Sequence, residues 1–180
     1  MITVEEALKI VHAHLGHWGT EEIFLDQSLG RILQEEIVAD RHFPPFNRVT
    51  MDGIGLNFDQ FDKGQRVFEI KGVAPAGGPQ QELPDPSYCL EVMTGATVPI
   101  GIDVVVRYED LEILEGKATV RLSSLNRNQN IHFKGSDRHQ GSVILSPGKC
   151  ISASEVGVCA TVGKNKILVS RLPKTLVVSS

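Results

Sequence analysis

The sequence contains only three cysteines, Cys89, Cys150 and Cys159, an odd number widely spaced along the chain. That pattern excludes a disulfide framework and a paired-thiol zinc site, and it leads to the expectation of a reducing compartment, the cytoplasm. Basic residues are not in excess either: 18 Lys and Arg stand against 22 Asp and Glu, a formal charge of −4. Non-specific binding to a polyanion needs clustered cations, so nucleic acid is not an expected partner. No window approaches the roughly 18 continuous apolar residues of a membrane span, and the N-terminus lacks a basic stretch followed by an apolar core, so neither membrane nor export is expected. The six histidines show no helical metal-binding spacing: His12, His14 and His17 cluster near one end, His42 precedes a proline pair, and His132 and His139 fall in a polar stretch. Of these, His139 is read as the one beside an acid of interest. Nucleophile-elbow, phosphate-loop and dinucleotide signatures are missing as well.

What is present is an ordinary globular composition, 41% hydrophobic and 22% charged over 180 residues, enough for one large domain or two small ones. Thr3 and Glu6 form a capping-box pattern before Ala7, Leu8, Val11 and Leu15, which recur at helical spacing. An extended piece is expected at residues 23–25. Ser28 then reads as the start of a second helix, with Leu29, Ile32, Leu33 and Ile37 on one side. From Phe43 to about Ser146, glycine and proline recur between short β-branched runs, and this middle reads as mostly strand. Glu112 to Lys117 places a turn between two such runs, so a hairpin is expected. Ser152 and Glu155 repeat the capping box before Val156, Val158, Cys159 and Val162, and Gly163 stands at the expected helix end. The final stretch holds two extended runs, Lys166 to Ser170 and Thr175 to Val178.

Three segments carry candidate chemistry. In Phe43 to Leu56, Pro44 and Pro45 stiffen the entry to Met51-Asp52-Gly53, and Gly53 permits a positive φ or a close backbone approach. Asp52 is then a carboxylate on a restricted support, suited to a binding or catalytic role, although an Asp-Gly turn fits the same residues. Met93 to Pro99 is a hydroxyl-and-glycine loop in which Thr94 and Gly95 can face an anion. Asn126 to Gly141 is the one locally basic polar stretch, with Arg127, Lys134 and Arg138 around a single acid, Asp137. Guanidinium and ammonium groups among amides suit a phosphate-bearing small molecule.

Taken in order, these segments resemble the N-terminal half of the molybdopterin molybdenumtransferases, the family of the bacterial molybdenum-insertion enzyme and the gephyrin E domain. The matching residues are Leu29-Gly30-Arg31-Ile32-Leu33, Pro44-Pro45-Phe46, Met51-Asp52-Gly53, Met93-Thr94-Gly95-Ala96 with Pro99, Gly135-Ser136-Asp137, and Leu145-Ser146-Pro147-Gly148 leading into residues 152–163. The resemblance implies an α+β fold of discontinuous arrangement. An α/β unit for dimerisation comprises residues 1–42 and 141–174, a mostly β domain carrying the cleft loops comprises 43–140, and residues 175–180 begin a further α/β domain. It implies that molybdate is inserted into adenylylated molybdopterin, with magnesium assisting and the enzyme acting as a homodimer. By position it assigns Asp52 and Asp137 as catalytic. Thr94, Gly95, Arg127, Lys134 and Arg138 would bind substrate, and Pro44, Pro45 and Gly53 would be structural. No metal ligand is assigned within these residues.

Two departures accompany the match. The family commonly has an Asp-Asn-Ser-Ala-like run before Met51, where this chain has Asn47-Arg48-Val49-Thr50, and an aromatic often follows the glycine where this chain has Ile54. The family also continues beyond the strand at Leu176, so the chain is expected to be an N-terminal portion that is inactive alone. The alternative is a non-catalytic binding or dimerisation module on the same scaffold.

Overall fold

A computed structural model describes residues 2–14, 16 and 18–177. The first half of the chain forms α1 (Val4–Ala13), β1 (Thr20–Phe24), β2 (Ile37–Val38), β3 (Arg48–Val49), β4 (Gly53–Leu56), α2 (Phe58–Asp62) and β5 (Val67–Ala74). The second half forms β6 (Tyr88–Val92), β7 (Val104–Arg107), β8 (Leu111–Leu114), β9 (Lys117–Val120), β10 (Ile131–His132), β11 (Val143–Leu145), α3 (Ala153–Thr161) and β12 (Lys166–Ser170). Two units result, one from residues 1–40 with 141–180 and one from residues 41–140. The α+β class expected from the sequence is what the structure has.

In the discontinuous unit, β1 pairs antiparallel with β12 and β2 pairs antiparallel with β11. Its core is Leu33, Ile37, Ile151, Cys159, Ile167 and Val169, all buried. Both helices begin with capping boxes, Thr3 with Glu6 and Ser152 with Glu155. The end of α3 is a Schellman motif, in which Gly163 at φ 76° lets the Lys164 N–H reach the Cys159 carbonyl at 3.0 Å and its own N–H reach that of Ala160 at 3.0 Å. The apolar stripe of α1 is a different matter. Leu8 and Val11 are 52% and 59% exposed, and Leu15 and His17 lie outside the described residues.

The second helix expected from Ser28 does not form, and the destinations of its backbone hydrogen bonds explain why. Leu25–Gln27 make a single 3-10 turn, and buried Ser28 donates its hydroxyl to the Leu25 carbonyl at 2.6 Å instead of capping a helix. Gly30 then turns the chain at φ 76°. Beyond it, Leu33 N–H donates to Lys149, Gln34 N–H to Leu168, and Ile32 accepts from Ser170, at 2.9, 2.8 and 2.8 Å. Partners on both sides hold residues 32–34 extended, so Leu33 and Ile37 enter the core as strand residues. The last apolar run also differs from its expectation, since residues 175–177 carry no strand pairing, while Val178 lies outside the described residues.

The second unit is built on a six-stranded mixed sheet in the order β7-β4-β6-β5-β9-β8, in which only β5 and β6 run parallel. Both faces are covered, which is why GIGL in β4 and VVV in β7 read as continuous apolar runs. Ile54, Leu56, Phe68, Cys89, Val104 and Val106 pack on one side, and Val49, Ala74, Leu90, Val92 and Val105 on the other. The expected hairpin is β8 and β9, joined by Glu115 and Gly116 with φ of 51° and 73°, the double positive φ of a type I′ turn. The short α2 was not foreseen; Asn57 caps it by accepting from Asp59 N–H at 3.1 Å, and it buries Phe61.

Candidate functional site

Asp52 immediately precedes β4, and Thr94 lies just beyond β6. The antiparallel register sets Gly53 opposite Val92, so the two loop residues meet at the same end of the sheet. Gly53 is there because of space: a Cβ on it would lie 1.9 Å from the Val106 carbonyl oxygen. Asp52 Oδ1 accepts both the backbone N–H and the hydroxyl of Thr94, at 2.6 and 2.8 Å. These two donors, the backbone one first, hold the Asp52 carboxyl below its ordinary range. The Thr94 donors are therefore committed to Asp52, and the other Asp52 oxygen has no hydrogen bond among the described residues. The Asp52 carbonyl accepts from Tyr108 N–H at 3.2 Å, while the Tyr108 hydroxyl donates to Glu91. Burial and this carboxylate push the Tyr108 phenol well above its usual range.

The piece that assembles the site is β3. One edge of residues 47–49 pairs with the threonine loop: Gly95 N–H donates to Val49, Val49 N–H to Ala96 and Val98 N–H to Asn47, each at 2.9 Å. The other edge pairs with β10, with His132 opposite Arg48 and Ile131 opposite Val49. Arg48 Nε and Nη2 approach His132 Nδ1 at 3.3 and 3.1 Å, and His132 Nε2 lies 2.9 Å from Asp137 Oδ1. Asp137 thus joins the Thr94 loop through Arg48 and His132. A histidine not expected at this acid, His132, is bonded to Asp137. His139 makes an edge-to-face contact with His42, the ring centroids 5.7 Å apart.

The proline pair serves this loop more directly than it serves Asp52. The Pro44 carbonyl accepts Gly135 N–H, and the Phe43 carbonyl accepts Asp137 N–H, both at 2.9 Å. Buried Gly135, at φ 77°, packs so tightly that a Cβ would lie 3.0 Å from His42 Nδ1 and 3.1 Å from His139 Nδ1. The other candidates are dispersed. Arg127 bridges Asp59 and Asp103 and lies over the Phe58 ring, securing α2 to the 126–130 loop. Lys134 is exposed, its backbone N–H donating to Asn47 Oδ1 at 2.9 Å. Arg138 is exposed beside Asp137, donating to its carbonyl at 3.1 Å. Gly95, at φ 88°, shapes the turn after Thr94.

A cavity of about 200 Å³ opens against these loops, lined by Arg48, Val49, Thr50, Thr94 and Gly95. Sequence reasoning missed Arg48, Thr50 and His132; the unusual Asn47-Arg48-Val49-Thr50 run was the available signal for the first two. A larger depression of about 410 Å³ lies in the discontinuous unit along residues 144–149 and Glu155. Its two ionisable groups, Lys149 and Glu155, face each other at 3.6 Å. No cluster of three or more His, Cys, Asp or Glu that could hold a metal occurs among the described residues. Asp52 offers one uncommitted carboxylate oxygen, and magnesium is typically held by one or two carboxylates with water and substrate phosphates completing its shell.

Fold and site together define a divided α+β scaffold in which β3 links three separate loops, and residues 48–50 and 94–95 line one small cavity. The family model described as MoeA N-terminal region (domain I and II) matches residues 2–163. Molybdopterin molybdenumtransferase of Synechocystis is 36% identical over 185 residues, covering all of this chain and 46% of that protein. The protein of the same name from Staphylococcus epidermidis is 32% identical over 183 residues, covering 99% and 43%. The crystal structure of a molybdopterin biosynthesis moeA protein from Pyrococcus horikoshii superposes with a TM-score of 0.84 at 27% identity, covering 92% of this chain and 45% of that one. The chain belongs to the MoeA N-terminal family, and it spans less than half the length of the curated relatives it matches.

Proposed function

We propose that the chain supplies one wall of the substrate site of a molybdopterin molybdenumtransferase, where molybdate is inserted into adenylylated molybdopterin and AMP is released. The observation that carries this reading is the linkage of Asp52, Thr94 and Asp137, distant in sequence, through the β3 segment, whose residues 48–50 line the cavity together with Thr94. In this role Asp52 accepts a hydrogen bond from the ligand through its free oxygen, with its anionic form secured by Thr94. Magnesium enters, on this reading, with the substrate. On this reading the enzyme works in the cytoplasm, and the exposed Leu8 and Val11 on α1 support assembly as a homodimer. Calorimetric titration of the purified chain with adenylylated molybdopterin tests the proposal. Saturable binding weakened about tenfold by Asp52→Asn is expected, the scale of one hydrogen bond to a charged group. A flat titration would confine the chain to the second role, a dimerisation module without a ligand site.

A further inference from the structure

We infer that Arg48 is the anion-binding residue of the Thr94 cavity, holding a tetrahedral oxyanion, and that His132 and Asp137 are positioning residues that orient it. A guanidinium only donates, so the His132 Nδ1 that receives Arg48 Nε and Nη2 must be the unprotonated ring nitrogen. The proton then resides on Nε2, which donates to Asp137 Oδ1 at 2.9 Å. Asp137 fixes the tautomer, the tautomer presents a lone pair to Arg48, and the cross-strand register brings the two side chains opposite each other.

Of the five guanidinium N–H groups, His132 engages one on Nε and one on Nη2, and the other three have no partner among the described residues. Arg48 also makes no ion pair there, unlike Arg127, which is held by Asp59 and Asp103. The Thr94 hydroxyl is committed to Asp52, and the Thr50 hydroxyl has no partner among the described residues, so the cavity presents donors from Arg48 and Thr50. A fork of parallel N–H groups beside a hydroxyl recognises a compact oxyanion with several acceptor oxygens. The −4 charge of the chain and the small volume disfavour an extended polyanion.

The oxyanion has two sources, a phosphoryl group of the ligand or molybdate itself, and naming either rests on the function proposed above. Free anions separate the two questions: failure here leaves binding of adenylylated molybdopterin to be decided by its own titration, and the reverse holds. The chain, labelled with ¹⁵N, is titrated in separate arms with inorganic phosphate and with molybdate at constant ionic strength, following the amides of residues 48–50 and 94–95. Saturable shifts are expected in at least one arm, the tighter arm identifying the source. Arg48→Gln should weaken that binding about tenfold and Arg48→Lys by less, since the lysine keeps charge but loses the fork. Asp137→Ala should weaken it about threefold and should convert the His132 ring ¹⁵N pattern from one tautomer to a mixture. Absence of binding in both arms, or wild-type affinity in Arg48→Gln, overturns the assignment. An unchanged His132 pattern and affinity in Asp137→Ala overturns the positioning role.

Discussion

Asp52 owes its character to two donors from one neighbour, and that makes its titration a probe of the site. Its folded pKa lies below the ordinary 3.8 because the Thr94 N–H and then the Thr94 hydroxyl favour the carboxylate. A depressed folded pKa contributes stability that is present above the unfolded value and is lost as pH falls from there through the folded value, so this contribution fades below about pH 3.8. Thr94→Val removes the hydroxyl and keeps the stronger backbone donor. The Asp52 carboxyl ¹³C titration should then move upward while staying below the ordinary value; an unmoved midpoint would show that the hydroxyl bond does not form in solution. Gly53 is the second residue whose role is local and steep. With the Val106 carbonyl 1.9 Å from any added Cβ, Gly53→Ala should cost more than about 2 kcal/mol in urea unfolding. Gly116→Ala, at φ 73° with open space around it, should cost only about 1 kcal/mol. The sequence allowed Gly53 either a positive φ or a close approach, and the structure has both, a φ of 159° and the Val106 carbonyl oxygen 1.9 Å from the position of a Cβ.

Among the elements, those decided by local chemistry were legible and those decided by distant partners were not. Both capping boxes, the helix end at Gly163 and the β8–β9 hairpin rest on residues a few positions apart, and each is present. Residues 28–37 carried an equally good helical pattern, yet their backbone groups bond to residues 149–151 and 168–170, more than a hundred positions away. No local pattern encodes that competition. Arg48 and His132 were overlooked for the same reason, since only the β3–β10 register makes them neighbours. The hairpin itself gives a direct prediction. Glu115 adopts φ 51° without the side chain that suits it, so Glu115→Asn should stabilise the protein by about 0.5 kcal/mol. A thermal melt that shows no rise in Tm would contradict the type I′ assignment.

At the scale of the whole molecule, the division into a discontinuous unit and an inserted β unit places all the residues of the candidate site in one of them, residues 41–140. The order of motifs along the chain carried the family resemblance, while composition by itself indicated only a globular protein. Cysteine burial offers a global check on the packing. Cys89 is buried with its thiol pushed up to about 12 by desolvation, Cys159 is buried and also raised, and Cys150 is exposed. Under native conditions iodoacetamide should modify Cys150 alone, with all three thiols reacting after denaturation; rapid native labelling of Cys89 or Cys159 would contradict the core assignments. The central claim is that the loops at 48–53, 93–97 and 131–137 form one ligand wall. An amide shift map of the ¹⁵N-labelled chain on titration with adenylylated molybdopterin tests it most directly. The account predicts saturable perturbations centred on Arg48, Thr50, Asp52, Thr94 and Gly95 and extending to His132 and Asp137, whereas perturbations confined to residues 144–149, or none at all, would contradict it.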